Sequence, residues 1–204
     1  NVIPITLHAL GKGQVYVSLF ALAVGRIYGM NFVELEEALR HYYAPVGRLN
    51  IIEGIKNTLI LDDSYNASPA ATREALDVLG MIGEGKRKLA CLGDMSELGT
   101  FTEAEHKKIG CHVAEIDVED LYTVGPRAKI LGDEAKKKMG KDHVFSFNRA
   151  EEAGRFIQDR LQERDILLVK GSQVVRVEKV VKELMAHPEK AELLLVRQEK
   201  SWDS

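Results

Sequence analysis

The sequence predicts an α/β fold, a mostly parallel sheet with helices on both faces, preceded by a short helical segment of another unit. Three observations carry this expectation. Apolar runs of strand length alternate with helical patterns along most of the chain. The runs are apolar at successive positions, as strands covered on both faces are. Two of the helical patterns open with capping signals directly after a loop that leaves a run.

Taken in order, residues 13–29, GQVYVSLFALAVGRIYG, read as a buried helix closed by Gly29, and 31–43, NFVELEEALRHYY, as an amphipathic one. Pro45 and Gly47 punctuate the chain and place a domain boundary near 45–48. RLNIIEGIKN, 48–57, is expected as a hairpin or edge strand. The core strands follow as TLILDD (58–63), KLACLGD (88–94), DLYTV (120–124), HVFSF (143–147) and DILLVKG (165–171). Helices are expected near 69–82, 102–116, 127–138, 149–163 and 174–186. Ser68 before Pro69 supplies an N-cap with proline at the first helical position, and Thr102 with Glu105 spells a capping box. The segment after Pro188 is charged and is expected to pack loosely, with LLLV at 193–196 available as a last strand or helix.

A chain of 204 residues that is 45% hydrophobic can bury a substantial core. Its net charge of −3, with both signs interspersed, offers neither a basic field for nucleic acid nor a polybasic anchor for a membrane. VYVSLFALAV, 15–24, is too short to span a bilayer. Cys91 and Cys111 occur without CxxC or zinc-finger spacing, so no disulfide or metal site is expected, and a reduced cytoplasmic setting is. No G-x-x-x-x-G-K-[ST], G-x-G-x-x-G or nucleophile elbow is present, and GEGKRK at 83–88 reads as a helix-ending turn; hydrolase and dehydrogenase chemistry therefore lack support.

Ligands of open α/β sheets sit at the carboxyl ends of strands, beside helix N-termini. Three loops qualify: DDSYNASP (62–69), GDMSELGTF (93–101) and KGSQVVR (170–176). Asp62 or Asp63 either accepts hydrogen bonds from ribose hydroxyls or caps its own loop. Gly93 and Gly99 permit a tight loop with Asp94 and Glu97 at its rim, which either faces a ligand or is an ordinary connection. Lys170, Gly171 and Ser172 bring a cation and backbone N–H groups together before a helix, a combination suited to an anion. His106 and His112, on different faces of one helix, lack the spacing of a metal pair and are expected at the surface or supporting loops.

DDSYNASP, LGDMSELG with His106 downstream, and LLVKGS, following PVGRL at 45–49, resemble in order the signatures of the C-terminal domain of Mur ligases. The similarity is to the members that add D-alanyl-D-alanine to a UDP-N-acetylmuramoyl-tripeptide, over roughly residues 30–186. It implies a helical end of the central ATPase domain at 1–46, a Rossmann-like C-terminal domain at 47–187 and a tail at 188–204. The activity implied is an ATP- and Mg²⁺-dependent amide ligase of peptidoglycan synthesis. A carboxylate of the UDP-linked tripeptide is phosphorylated, and the amine of D-Ala-D-Ala attacks the acyl phosphate. The partners implied are UDP-N-acetylmuramoyl-peptide, D-Ala-D-Ala and the N-terminal and central domains. The P-loop belongs to that central domain, so this chain is expected to be inactive alone.

By the same resemblance Arg48 is catalytic and reaches nucleotide phosphate or ribose on closure, while Asp63 contacts the ribose and Tyr65 and Asn66 line the nucleotide side. Lys170, also implied to be catalytic, faces the incoming amino substrate with Gly171, Ser172 and Gln173. Asp94, Glu97 and His106 receive no role beyond loop support. Gln173 stands where the family has Arg, with Arg176 as a nearby substitute; Ser68 replaces an Asn; and GKGQVYVS, 11–18, replaces an adenine-side HNxxN-like pattern, Gln14 and Ser18 standing for its Asn residues. Two alternatives stay open: a related amide ligase of the folylpolyglutamate or cyanophycin synthetase type, and a non-catalytic ligand-binding module.

Overall fold

The computed structural model describes residues 3–202. It divides into two compact units, Asn1–Pro45 and Val46–Ser204.

The first unit holds α1 (Lys12–Ile27) and α2 (Phe32–Arg40). A full capping box starts α2: the Asn31 side chain accepts from the N–H groups of Val33 and Glu34, and Glu34 accepts from the Asn31 N–H at 2.7 Å. Leu35 of α2 lies against Gly25 of α1, where a Cβ would leave it no room. The expectation of a buried first helix is corrected. Only Ser18 and Gly25 of α1 are buried, and Phe20 and Ile27 are exposed, because α2 covers one stripe of a helix that is apolar on several faces. Gln14 accepts a hydrogen bond from the Tyr42 hydroxyl at 3.0 Å.

The second unit carries β1 (Asn50–Gly54), β2 (Thr58–Asp63), α3 (Pro69–Ile82), β3 (Lys88–Gly93), α4 (Thr102–Glu115) and β4 (Asp120–Val124). It continues with α5 (Ala128–Met139), β5 (Val144–Phe147), α6 (Ala150–Arg160), β6 (Ile166–Lys170), α7 (Glu178–Leu184) and α8 (Ala191–Leu194). One sheet runs in the order β1-β2-β6-β3-β4-β5. β1 is an antiparallel edge strand, as its position before the core strands suggested, and every other pairing is parallel.

The doubly apolar strands serve two layers. Ile60, Leu89, Cys91, Tyr122, Leu167 and Val169 form one core with α6 and α7. The alternate residues Leu61, Ala90, Leu92, Leu121 and Leu168 are just as buried and face the opposite layer, that of α3, α4 and α5. At the start of the strands Arg87 bridges Asp120, at 2.7 Å, and Asp165, at 2.8 Å, which pins the amino ends of β4 and β6 together.

Two further expectations are corrected. Thr102 and Glu105 form no capping box: Gly99–Phe101 continues into α4 as a 3-10 turn, so the Thr102 hydroxyl donates to the Gly99 carbonyl and Glu105 pairs with Lys108. The segment after Pro188 does not pack loosely. It makes α8 and two 3-10 turns, and Ala191 and Leu195 complete the core against α7.

Gly110 of α4 tests how closely the α3–α5 layer is packed. A Cβ there would lie 2.4 Å from the Leu131 carbonyl oxygen of α5, whereas one on Gly80 of α3 would meet its nearest atom, on Ile116, at 3.8 Å. In urea unfolding, Gly110→Ala should destabilise the chain by about 1 to 3 kcal/mol and Gly80→Ala should stabilise it by about 0.5 to 1 kcal/mol. Equal effects at the two positions would contradict this packing.

Candidate functional site

The site follows from strand order. β6 lies between β2 and β3, yet α3 and α4, which follow β2 and β3, cover one face while α7, which follows β6, covers the other. The loops leaving these neighbours diverge and open a crevice at the carboxyl edge. Gly93 and Gly171 sit side by side there. A Cβ on Gly93 would fall 3.1 Å from the Gly171 Cα and 3.0 Å from Val177, so the close passage of the two backbones needs glycine. The crevice is a cleft of about 400 Å³ whose wall includes Asn66, Ser68, Ser96, Glu97, Ser172 and Gln173, drawn from all three expected loops.

The loop after β2 is fixed by its carboxylates. Asp62 is the one that caps: its Oδ1 accepts from the Ser64 N–H at 3.1 Å. Asp63, in register with Lys170 across the β2–β6 pair, instead accepts from the Lys170 ammonium at 2.5 Å. Lys170 is 2% exposed and also donates to the Asn66 carbonyl at 2.9 Å, so its charge is turned into the loop instead of the cleft. Ser68 accepts from the Ala71 N–H at 3.3 Å and caps α3 as expected, at the cleft wall. Tyr65 is half exposed, with the Arg48 guanidinium 4.3 Å from its ring centroid, and the Tyr65 N–H donates to the Gly47 carbonyl at 3.1 Å.

The loop after β3 departs from expectation at Asp94. This residue is buried, not at the rim, and its Oδ1 accepts from the N–H groups of Arg127 and Ala128 at 2.9 and 2.7 Å, capping α5 from another loop. Gly125, at φ 102°, leaves the space this carboxylate occupies. Glu97, at φ 63°, stays exposed on the cleft. His106 is buried and supports the loop from beneath. Its Nε2 accepts from the Met95 N–H at 3.1 Å, which leaves Nδ1 as the donor to the Thr102 carbonyl at 2.7 Å. His112 bonds to Asp77 and Glu115 at the surface.

The loop after β6 is tied to its neighbour. The Ser172 N–H donates to the Asp94 carbonyl at 2.9 Å, and its hydroxyl accepts from the Ser96 N–H at 2.8 Å. Gly171 and Ser172 are buried, and Gln173 alone of the three is exposed to the cleft. Arg176 does not substitute for the missing family arginine: it donates to Glu178 and to the Trp202 carbonyl. Sequence reasoning missed Arg197, whose guanidinium holds the carbonyls of Ser64 and Tyr65, since no local pattern links residues so far apart. Among the described residues no three His, Cys, Asp or Glu side chains are grouped as a metal site, and no helix is long and apolar enough to cross a membrane.

The family model for the Mur ligase glutamate ligase domain matches residues 47–173. The chain is 27% identical over 179 residues to the UDP-N-acetylmuramoyl-tripeptide–D-alanyl-D-alanine ligase of Bacillus subtilis, covering 88% of this chain and 39% of that protein. Among solved structures, MurF from Acinetobacter baumannii matches with a TM-score of 0.76 and 26% identity, over 88% of this chain and 39% of its own. MurF from Thermotoga maritima in complex with ADP matches with a TM-score of 0.71 and 25% identity, over 89% and 40%. The chain thus spans about two fifths of the length of these relatives.

Asp62, behind the first loop, gives the site a pH signature. Burial raises its carboxyl from the ordinary 3.8 to about 6, and hydrogen bonding from the Ser64 side chain and N–H offsets only part of that. A raised value means that the folded chain keeps the proton between these limits while the unfolded chain loses it. The contribution of Asp62 is therefore full below pH 4 and is lost as pH rises to about 6, a change of about 3 kcal/mol. Asp62→Asn should match the parent in urea at pH 4 and exceed it by about 2 to 3 kcal/mol at pH 7. A gap that does not grow with pH would refute the assignment.

Proposed function

Because the chain belongs to the Mur ligases, as their glutamate ligase domain, we propose that it supplies the nucleotide-closing part of an ATP-dependent amide ligase of peptidoglycan precursor synthesis. The reaction proposed joins D-alanyl-D-alanine to a UDP-N-acetylmuramoyl-tripeptide, the activity that the B. subtilis relative's name states. The observation that carries this reading is the convergence of three strand-end loops on one polar cleft where β6 meets β2 and β3.

In this reading the first loop faces the nucleotide. Arg48 is exposed, rests on Tyr65 and makes no ion pair among the described residues, so its planar fork is free to take phosphate oxygens. Asp63 keeps one carboxylate oxygen for a ribose hydroxyl while Lys170 fixes the other; Lys170 then acts by positioning, not by touching substrate. Asn66 and the capped start of α3 line the side where phosphoryl charge develops. Ser172 and Gln173 form the wall toward the incoming amine, and Gly171, buried behind them, lets the backbone pass close to Gly93. ATP and Mg²⁺ would come with the P-loop domain of the whole protein, to which residues 1–46 would belong, and the cytoplasm is the natural setting. The Mg²⁺ would add charge neutralisation at the phosphates. A ligand-holding module without chemistry is the second reading, favoured by Gln173 at the cleft while Arg176 is held elsewhere.

In the full-length protein that contains this chain, phosphate release and amide product should require ATP, the UDP-tripeptide and D-Ala-D-Ala together. The 204-residue chain alone should release no phosphate above buffer. Arg48→Ala should lower kcat by about tenfold to a hundredfold, the scale of one charge-assisted contact. Unchanged turnover would remove Arg48 from the site, and a folded protein that binds ATP but makes no amide would favour the second reading.

A further inference from the structure

The segment that the sequence left as a loose tail reaches the site. Arg197 is buried at 9% exposure, although it lies close to the C-terminus. One guanidinium nitrogen, Nη1, donates to the Tyr65 carbonyl at 3.1 Å. The other, Nη2, donates to the Ser64 carbonyl at 2.5 Å and to Glu178 at 2.9 Å. Glu178, the first residue of α7, is fully buried and also accepts from Arg176, so one carboxylate lies between two guanidinium groups. Beside it Val196 lies against Gly47, where a Cβ would come within 3.0 Å of both Val196 and the Tyr65 nitrogen. Three segments distant in sequence, around Gly47, Tyr65 and Arg197, therefore meet at one point beneath the Arg48–Tyr65 stack.

The arrangement is costly enough to need a reason. Arg176 and Arg197 both adopt left-handed backbone, at φ 57° and 56°, which a non-glycine residue holds only when its surroundings enforce it. A buried carboxylate flanked by two arginines gives little net stability over an apolar replacement. What the arrangement does supply is direction: a planar fork that grips two successive carbonyls fixes the peptide plane between Ser64 and Tyr65, whereas the rotatable ammonium of a lysine would hold carbonyls without imposing a plane.

We propose that Arg197 is a positioning residue for the nucleotide-facing loop, holding the Ser64–Tyr65 backbone so that the Tyr65 ring carries Arg48 into the site. Glu178 holds Arg197, and the segment from Ala191 to Trp202 is a strap that belongs to the site. This rests on the reading in which residues 62–69 face the nucleotide.

The test uses the full-length protein with Arg197→Lys, and with Arg197→Met combined with Glu178→Gln, which removes both charges of the buried pair and leaves the partly exposed Arg176 on the Trp202 carbonyl, should the single variant fold poorly. Two measurements are made on each: amide hydrogen exchange, and steady-state kinetics in ATP. The Tyr65 amide, bonded to Gly47, should exchange about tenfold faster while β4 and α5 keep parental protection, and kcat/KM for ATP should fall by about tenfold. Parental exchange at residues 64–67 would overturn the proposal and leave the nucleotide reading untouched. Faster exchange throughout the domain would reduce Arg197 to a general stabiliser and overturn it as well. A locally loosened loop with unchanged ATP kinetics would overturn the nucleotide reading itself, and with it the role given to Arg197.

Discussion

The buried ion pair between Asp63 and Lys170 is the constraint on which the site edge depends. Two opposite charges end neighbouring strands in register, and both are withdrawn from water. Neither can be buried alone at tolerable cost, so each fixes the other. The Lys170 ammonium also takes the Asn66 carbonyl, which turns the chain leaving β2 back across the end of β6. Strand alternation then sends the preceding carboxylate, Asp62, to the opposite side, where burial outweighs its hydrogen bonding to Ser64 and it keeps its proton to about pH 6. Adjacent acids thus have different tasks, set by which face of the sheet each one meets.

From that pair outward, the three loops act as one piece. Ser172 takes hydrogen bonds into the loop after β3, Asp94 in that loop caps α5, and His106 holds the Met95 backbone from below. Glycines at 93 and 171 let the backbones approach. Asn66, Glu97 and Gln173 in the cleft, with Arg48 and Tyr65 at the first loop, are exposed groups on a backbone already fixed. Such a division between a fixed frame and a few exposed side chains suits binding that must place charge accurately.

The sheet and its helices were legible because their signals are local. Strand runs, the Ser68–Pro69 cap and the glycine punctuation each act within a few residues, and the observed elements start and stop within a few residues of the expected places. The meeting of the three loops was legible because each leaves the carboxyl end of a strand of one sheet. Distant partnerships were not. Nothing near Asp94 announces that it caps a helix beginning at Ala128, and nothing near Arg197 points to Ser64. The Thr102 box failed for the reverse reason: its local pattern was right, but a 3-10 turn moved the helix start and gave the hydroxyl another partner. Lys170 was read as free for an anion because sequence shows its loop and not the Asp63 in register beside it.

The most direct measurement is a double-mutant cycle on the unfolding free energy of the chain with Asp63→Asn, Lys170→Met and both together. If the pair holds the site edge, each single change should cost about 3 kcal/mol or more, because it strands a buried partner, and the double should cost less than the sum by about 2 kcal/mol or more. Costs that add to within about 0.5 kcal/mol would show that the two side chains act independently. The frame built on their pairing would then be wrong.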